Sequence, residues 1–176
     1  MKSLEKGLGI LSILVCMFLV TVGGCKKSAE VQAVLVGMLM DHTGCKESLT
    51  GVVGAGEDFA PGPFSDCIAY QYNGVDTLIL THSNAGFNCC PGDISGVVVC
   101  SGNRITITEQ ESIAGCHCMC LYDLDYRIVN VVPGQYTIRI VEPYIGADDQ
   151  VLEVTLNLSE EAFGEFCLPR KHYPWL

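Results

Sequence analysis

Three cysteines within five residues, Cys116, Cys118 and Cys120 in the stretch CHCMC, constrain this chain more than any other feature. A second concentration, Cys89-Cys90, stands directly before Pro91-Gly92. Successive side chains of a β-strand point to opposite faces, so an extended CHCMC places Cys116, Cys118 and Cys120 on one face and His117 and Met119 on the other. Same-face neighbours then lie about 6.8 Å apart, whereas a tetrahedral zinc with Zn–S bonds of about 2.3 Å needs sulfurs roughly 3.8 Å apart. A regular strand therefore does not deliver all three thiols to one ion, although a bulge at Gly115 would let two converge. The same spacing suits three partners on an adjacent strand, where opposed Cβ atoms lie about 4.5–5.5 Å apart and disulfides can close. Adjacent cysteines point apart, so Cys89 and Cys90 reach different partners. The expected wiring joins them to two of Cys116, Cys118 and Cys120 and leaves the third to Cys100 or as a free thiol.

Around the cysteines the chain reads as short alternating strands separated by turn residues. In RITITEQE, Ile105 and Ile107 face one side and Thr106 and Thr108 the other, after a Ser101-Gly102-Asn103 turn. Similar runs cover Ala29–Met40, Asp66–Asn73, Asp76–Ser83, Ile94–Cys100, the cysteine stretch continuing through Leu124, Tyr126 and Ile128, Gln135–Glu142, and Gln150–Ser159. Lys46–Phe64 reads as a long loop rich in glycine. No helical period runs for any length, so the expected fold is all-β, an antiparallel sandwich that is Ig-like or a small barrel. The runner-up adds a helix around Ser159–Gly164.

The N-terminus sets an address. Lys2 and Lys6 precede an uncharged run from Leu8 to Val22, too short for a bilayer span, which takes about 20 residues, and typical of a secretory signal peptide. Val22-Gly23-Gly24-Cys25 resembles the lipobox of bacterial lipoproteins. That resemblance implies cleavage after residue 24, lipidation of Cys25 and anchoring in a bilayer facing outside the cytoplasm. Two or three acyl chains hold such a protein firmly, at about 0.8 kcal/mol per buried methylene. The expected organisation is a signal peptide over 1–24, a tether over 25–30 and one cysteine-rich domain over 31–176.

Removing 24 of the 176 residues takes away Lys2, Glu5 and Lys6 and leaves 8 basic and 19 acidic side chains. An acidic body without a basic cluster argues against nucleic acid, whose phosphates need cationic partners. Of the 11 cysteines, Cys16 leaves with the signal and Cys25 with the lipid, so nine remain: Cys45, Cys67, Cys89, Cys90, Cys100, Cys116, Cys118, Cys120 and Cys167. Nine is odd, so full intramolecular pairing leaves one over.

All nine are disulfide candidates, since disulfides persist outside the cytoplasm. The alternative collects Cys89, Cys90, Cys116, Cys118 and Cys120, with His82 and His117 in reserve, around zinc, copper(I) or an iron–sulfur cluster. The CxxC spacing of structural zinc sites and of thioredoxin-like redox centres is absent. A catalytic thiol is the weakest of the three readings. Asp123 and Asp125 share a face and form a minor cation candidate. His42 and His172 read as surface residues. The chain has no phosphate-binding loop, no GxSxG and no HExxH, so no enzyme is expected and no cofactor beyond the metal alternative.

The blocks LTHSNAGFNCCPG and CHCMCLYDLDYRI resemble a group of uncharacterised bacterial cysteine-rich lipoproteins of the cell envelope. Across Cys67 to Glu142 the resemblance implies a secreted β-domain. It supplies no catalytic residue. The expected function is a structural or binding module of the envelope, with a small ligand or an envelope protein as its partner, and metal handling is the alternative.

Overall fold

The computed structural model describes residues 34–46, 62–146 and 149–171. These form nine strands: β1 (Val36–His42), β2 (Ser65–Tyr72), β3 (Thr77–Asn88), β4 (Ile94–Ser101), β5 (Arg104–Glu111), β6 (Met119–Val129), β7 (Gln135–Val141), β8 (Glu153–Asn157) and β9 (Phe163–Pro169). One sheet runs β1-β6-β3-β2-β9 and the other β4-β5-β7-β8. The two sheets pack as a sandwich and, among the described residues, do not close on each other, so the small-barrel alternative is corrected. The purely antiparallel expectation also needs correction, because β5 and β7 pair parallel. The chain leaves β5, crosses to the other sheet as β6 and returns as β7. Such a crossover delivers a strand in the same direction as the one it left.

Alternation explains which face each strand buries. In β2, Ile68, Tyr70 and Tyr72 point inward, in β3 Leu78 and Leu80, and in β6 Leu124, Tyr126 and Ile128. Ile105 and Ile107 of β5 and Tyr136, Ile138 and Ile140 of β7 meet them from the opposite sheet. Each fully buried aliphatic side chain contributes roughly 1.5–3 kcal/mol. The β2–β3 turn is built by Asn73, whose Oδ1 accepts from the backbone N–H groups of Val75, Asp76 and Thr77 at 2.9–3.0 Å. Tyr136 donates to the Val132 carbonyl at 3.0 Å and closes the Pro133-Gly134 turn.

Two local expectations are corrected. Cys116 to Cys118 precede β6 instead of lying in it, so the three cysteines do not share one strand face. The turn at Ala114-Gly115 holds them off the ladder, with Gly115 N–H donating to the Cys90 carbonyl at 3.2 Å. The helix considered around Ser159–Gly164 does not form: a turn and bend lead into β9, which begins at Phe163, and Leu158 N–H before it donates to the Gly134 carbonyl at 2.8 Å. Residues 1–30, including Cys25, and His172 lie outside the described residues, as does most of the 46–64 loop.

Candidate functional site: a disulfide rim and a buried ionic network

Eight cysteines pair. The disulfides are Cys45–Cys120, Cys67–Cys167, Cys89–Cys118 and Cys90–Cys116. Cys89 and Cys90 each take one of the three clustered cysteines, as the sequence predicts. The third, Cys120, pairs with Cys45 and not with Cys100, because Lys46 forms an isolated bridge to Leu121 and carries Cys45 to the start of β6. Cys100 is the odd thiol among the described cysteines. It lies on β4 against the core, and burial pushes its pKa up.

The rim is organised by Asn88, the last residue of β3. Its Nδ2 donates to the Cys116 carbonyl at 2.6 Å, and its Oδ1 accepts from the Cys116 and Cys90 N–H groups at 3.0 and 2.9 Å. Its own N–H donates to Glu111 Oε2 at 2.9 Å and its carbonyl accepts from Tyr122 at 3.0 Å. One buried amide thus holds the backbone at both ends of the Cys90–Cys116 disulfide. Cys89 N–H donates to the Cys118 carbonyl at 3.0 Å, and the Sγ atoms of Cys89 and Cys120 sit 3.6 Å apart.

The five sulfurs of the metal alternative are only partly gathered. Sγ of Cys89 and Cys120 lie with Sγ of Cys45, all within 4.8 Å of one another. Cys90 and Cys116 bond to each other beside them. His117 is exposed and joins no such group among the described residues. His82 lies on β3, seven residues before Cys89, and belongs to a different group, with Asp66 and Glu142. Asp123 pairs with Lys46 and accepts from Asn84 N–H at 3.0 Å, while Asp125 accepts from Thr81 Oγ1 at 2.6 Å. Both minor cation candidates are engaged within the protein. His42 is exposed, its ring edge-on to Tyr122.

A second cluster lies inside the sandwich. His82 is 0% exposed, with Nε2 2.8 Å from Asp66 Oδ1 and Nδ1 2.8 Å from Glu109 Oε1. Glu109 also accepts from Tyr126 OH at 2.9 Å. Arg170 pairs with Asp66, reaches Glu142 at 2.9 Å and donates to the Gln150 carbonyl at 2.5 Å. Among the described residues, Glu109 Oε2 and Glu142 Oε1 have no hydrogen-bond partner. Asp66, His82 and Tyr126 belong to one sheet and Glu109 to the other, with Arg170 directly after β9 and Glu142 directly after β7, so the ion pairs stitch the two layers together.

Carboxylates on both ring nitrogens make His82 a double donor, and hence an imidazolium. Burial opposes that charge, but Glu109 and Asp66 outweigh it and hold the His82 pKa well above 6.5. Burial likewise works against Asp66, yet His82 and Arg170 bring its pKa below 3.8. For Glu142 burial dominates, reinforced by Asp66 and Glu109 against the pull of His82 and Arg170, and its pKa is pushed up to about 8. With Glu142 protonated, two cations face two carboxylates and the cluster is neutral, the arrangement a dry interior tolerates. Burial and Glu109 also raise the Tyr126 pKa, so its proton stays in place as a donor.

Sequence reasoning named only His82 of this cluster. The signal was present as strand phase: His82 follows Leu78 and Leu80, Glu109 follows Ile105 and Ile107, and Glu142 follows Ile138 and Ile140 on the inward face. Asp66 precedes Ile68 and Arg170 follows Leu168 in the same way. A charge on the core phase of several strands at once predicts that those charges meet.

Fold and disulfides together define a disulfide-braced β-sandwich protein. Compared with known proteins, the chain matches no family model, no curated protein and no solved structure.

Proposed function

We propose that this chain is a lipid-anchored module of the bacterial cell envelope, held by acylated Cys25, whose rigid β-domain serves a structural or binding role. The observation that carries the reading is the set of four disulfides, since such bonds form and persist in oxidising compartments outside the cytoplasm and are rare within it. The signal-like N-terminus and the lipobox-like sequence before Cys25 supply the tether. The residues of the ionic cluster are buried, which supports a role in the fold. Metal handling is the second reading, favoured by the three sulfurs of Cys45, Cys89 and Cys120 within 4.8 Å.

The test expresses the full chain in a bacterial host with a palmitate label and purifies it without reductant or chelator. Membrane fractionation with label on the wild type, lost in Cys25→Ser, is the expected result, together with a domain eight hydrogens lighter than its reduced form for four bridges. An unlabelled, freely soluble wild type ends the anchored reading. A bound metal with reduced rim thiols moves the function to metal handling.

A further inference from the structure

The four sulfurs nearest β6 run in an order that has chemical meaning. Cys45 is exposed and bonded to buried Cys120, and Cys118 is exposed and bonded to half-buried Cys89. The two inner sulfurs, Cys120 and Cys89, touch each other at 3.6 Å. Exposed ends thus flank an inner contact: Cys45–Cys120 against Cys89–Cys118. A disulfide bond is about 2.05 Å long, so joining the inner pair requires an approach of roughly 1.5 Å. The inner pair is also the better anchored. Cys120 lies in the β3–β6 ladder opposite Phe87, and Cys89 is held by its N–H bond to the Cys118 carbonyl.

We propose that these two disulfides form a thiol–disulfide relay, passing a reducing equivalent from one exposed cysteine to the other through the inner sulfurs. The proposal rests on the disulfide reading of the rim. Exchange proceeds by attack of a thiolate on one sulfur of a disulfide, with departure of the other sulfur as a thiolate. A small-molecule or protein thiol, as its thiolate, attacks Cys45 Sγ. The new bond is a mixed disulfide at Cys45, and the Cys45–Cys120 bond breaks with its electron pair on Cys120. The Cys120 thiolate then attacks Cys89 Sγ, forming Cys89–Cys120 and expelling Cys118, which takes a proton from water. A second thiol releases Cys45 and leaves as the oxidised disulfide of the donor. Two donor thiols are oxidised, and the protein ends two electrons reduced, with exposed Cys45 and Cys118 thiols over a shielded Cys89–Cys120 bond. Entry at Cys118 runs the same sequence in reverse order.

The variant Cys45→Ser tests the central step without any added reductant, because it leaves Cys120 as a thiol against the Cys89–Cys118 bond. Wild type is mapped first by peptide mass spectrometry under non-reducing conditions. If Cys45–Cys120 and Cys89–Cys118 are absent there, the disulfide reading itself fails. If they are present, Cys45→Ser is labelled in its folded state with iodoacetamide. The relay predicts label on Cys118 and a Cys89–Cys120 cross-link in most molecules, with Cys67–Cys167 and Cys90–Cys116 unchanged. Label confined to Cys120, with Cys89–Cys118 intact, overturns the relay and leaves the disulfide reading standing. Should Cys45→Ser not fold, wild type treated with limiting reduced glutathione gives the same decision. Paired Cys45 and Cys118 thiols support the relay, and independent opening of single disulfides overturns it.

Discussion

Gly96 of β4 lies against the ring of Tyr126 so closely that a Cβ at position 96 would stand 2.4 Å from Tyr126 Cε1. Gly96 is also the register partner of Glu109, which accepts the Tyr126 hydroxyl. The missing side chain is thus what lets Tyr126 cross between the sheets to reach the ionic network. Gly96→Ala forces the ring away and is expected to cost about 1–3 kcal/mol, the usual range for overpacking a core. A lowered urea midpoint with unchanged slope would bear this out. A midpoint equal to wild type would mean that Tyr126 has room to move.

The ionic network gives stability a pH dependence of defined sign. Glu142 rises from an ordinary value of 4.5 to about 8 in the folded protein, so the folded state holds a proton that the unfolded chain has released. Stability contributed by that proton is complete below pH 4.5 and drains away as pH climbs towards 8, by at most about 1.4 kcal/mol per pH unit. His82, raised above 6.5, adds a loss in the same direction at higher pH. Asp66, lowered below 3.8, works oppositely and takes stability away only at strongly acid pH. Glu142→Gln keeps the neutral form permanently. Its unfolding free energy, followed from pH 5 to pH 8, is expected to fall less steeply than that of wild type and to exceed it at the alkaline end. Parallel curves would remove Glu142 as the source.

Disulfides that close long loops restrict the unfolded chain most. Cys67–Cys167 spans 100 residues and Cys90–Cys116 spans 26, for which chain entropy gives about 4.7 and about 3.5 kcal/mol. Replacing both cysteines of each pair by alanine should therefore cost more stability for Cys67 and Cys167. Denaturant melts of the two double variants make the comparison, and a larger loss at Cys90 and Cys116 would show that the rim is held by more than loop closure.

Asn88→Ala removes the amide that bonds the backbone of Cys90 and Cys116. Each net hydrogen bond contributes about 0.5–1.5 kcal/mol, so for these three bonds a loss of about 1.5–4.5 kcal/mol is expected. Oxidative refolding should also yield more mispaired rim cysteines, read by non-reducing peptide maps. A variant that refolds to the native map at wild-type yield would assign the pairing to the strands alone.

Cys100 is expected to behave as a small core residue. With its thiol pKa raised by burial, it should resist iodoacetamide at pH 8 in the folded protein, since the thiolate is the reactive form. Cys100→Ala should leave all four disulfides in place. A changed disulfide map would give Cys100 a part in the pairing.

How far these features were legible follows from what each depends on. β5 could be placed to the residue because Ile105 and Ile107 alternate with Thr106 and Thr108 between clear turns. β9 could not, because Phe163, exposed by 77%, puts an aromatic on the outer face while Phe166 and Leu168 lie on the inner one, blurring the period. Cys89 and Cys90 were matched to the cluster because adjacent residues point apart. Cys45 was not matched to Cys120 because 75 residues separate them and only the Lys46–Leu121 bridge brings them together. The ionic network went unread since each of its charges looks unremarkable within its own strand. Only strand phase compared across β2, β3, β5 and β7 reveals that they share one interior.

Cys45–Cys120 and Cys67–Cys167 overlap along the chain, the second beginning before the first has closed. A protease that severs any one peptide bond from residue 45 to residue 167 therefore detaches nothing, because at least one of the two bridges spans the cut. The nicked molecule keeps its two pieces covalently joined, as a chain link with one strand filed through still holds.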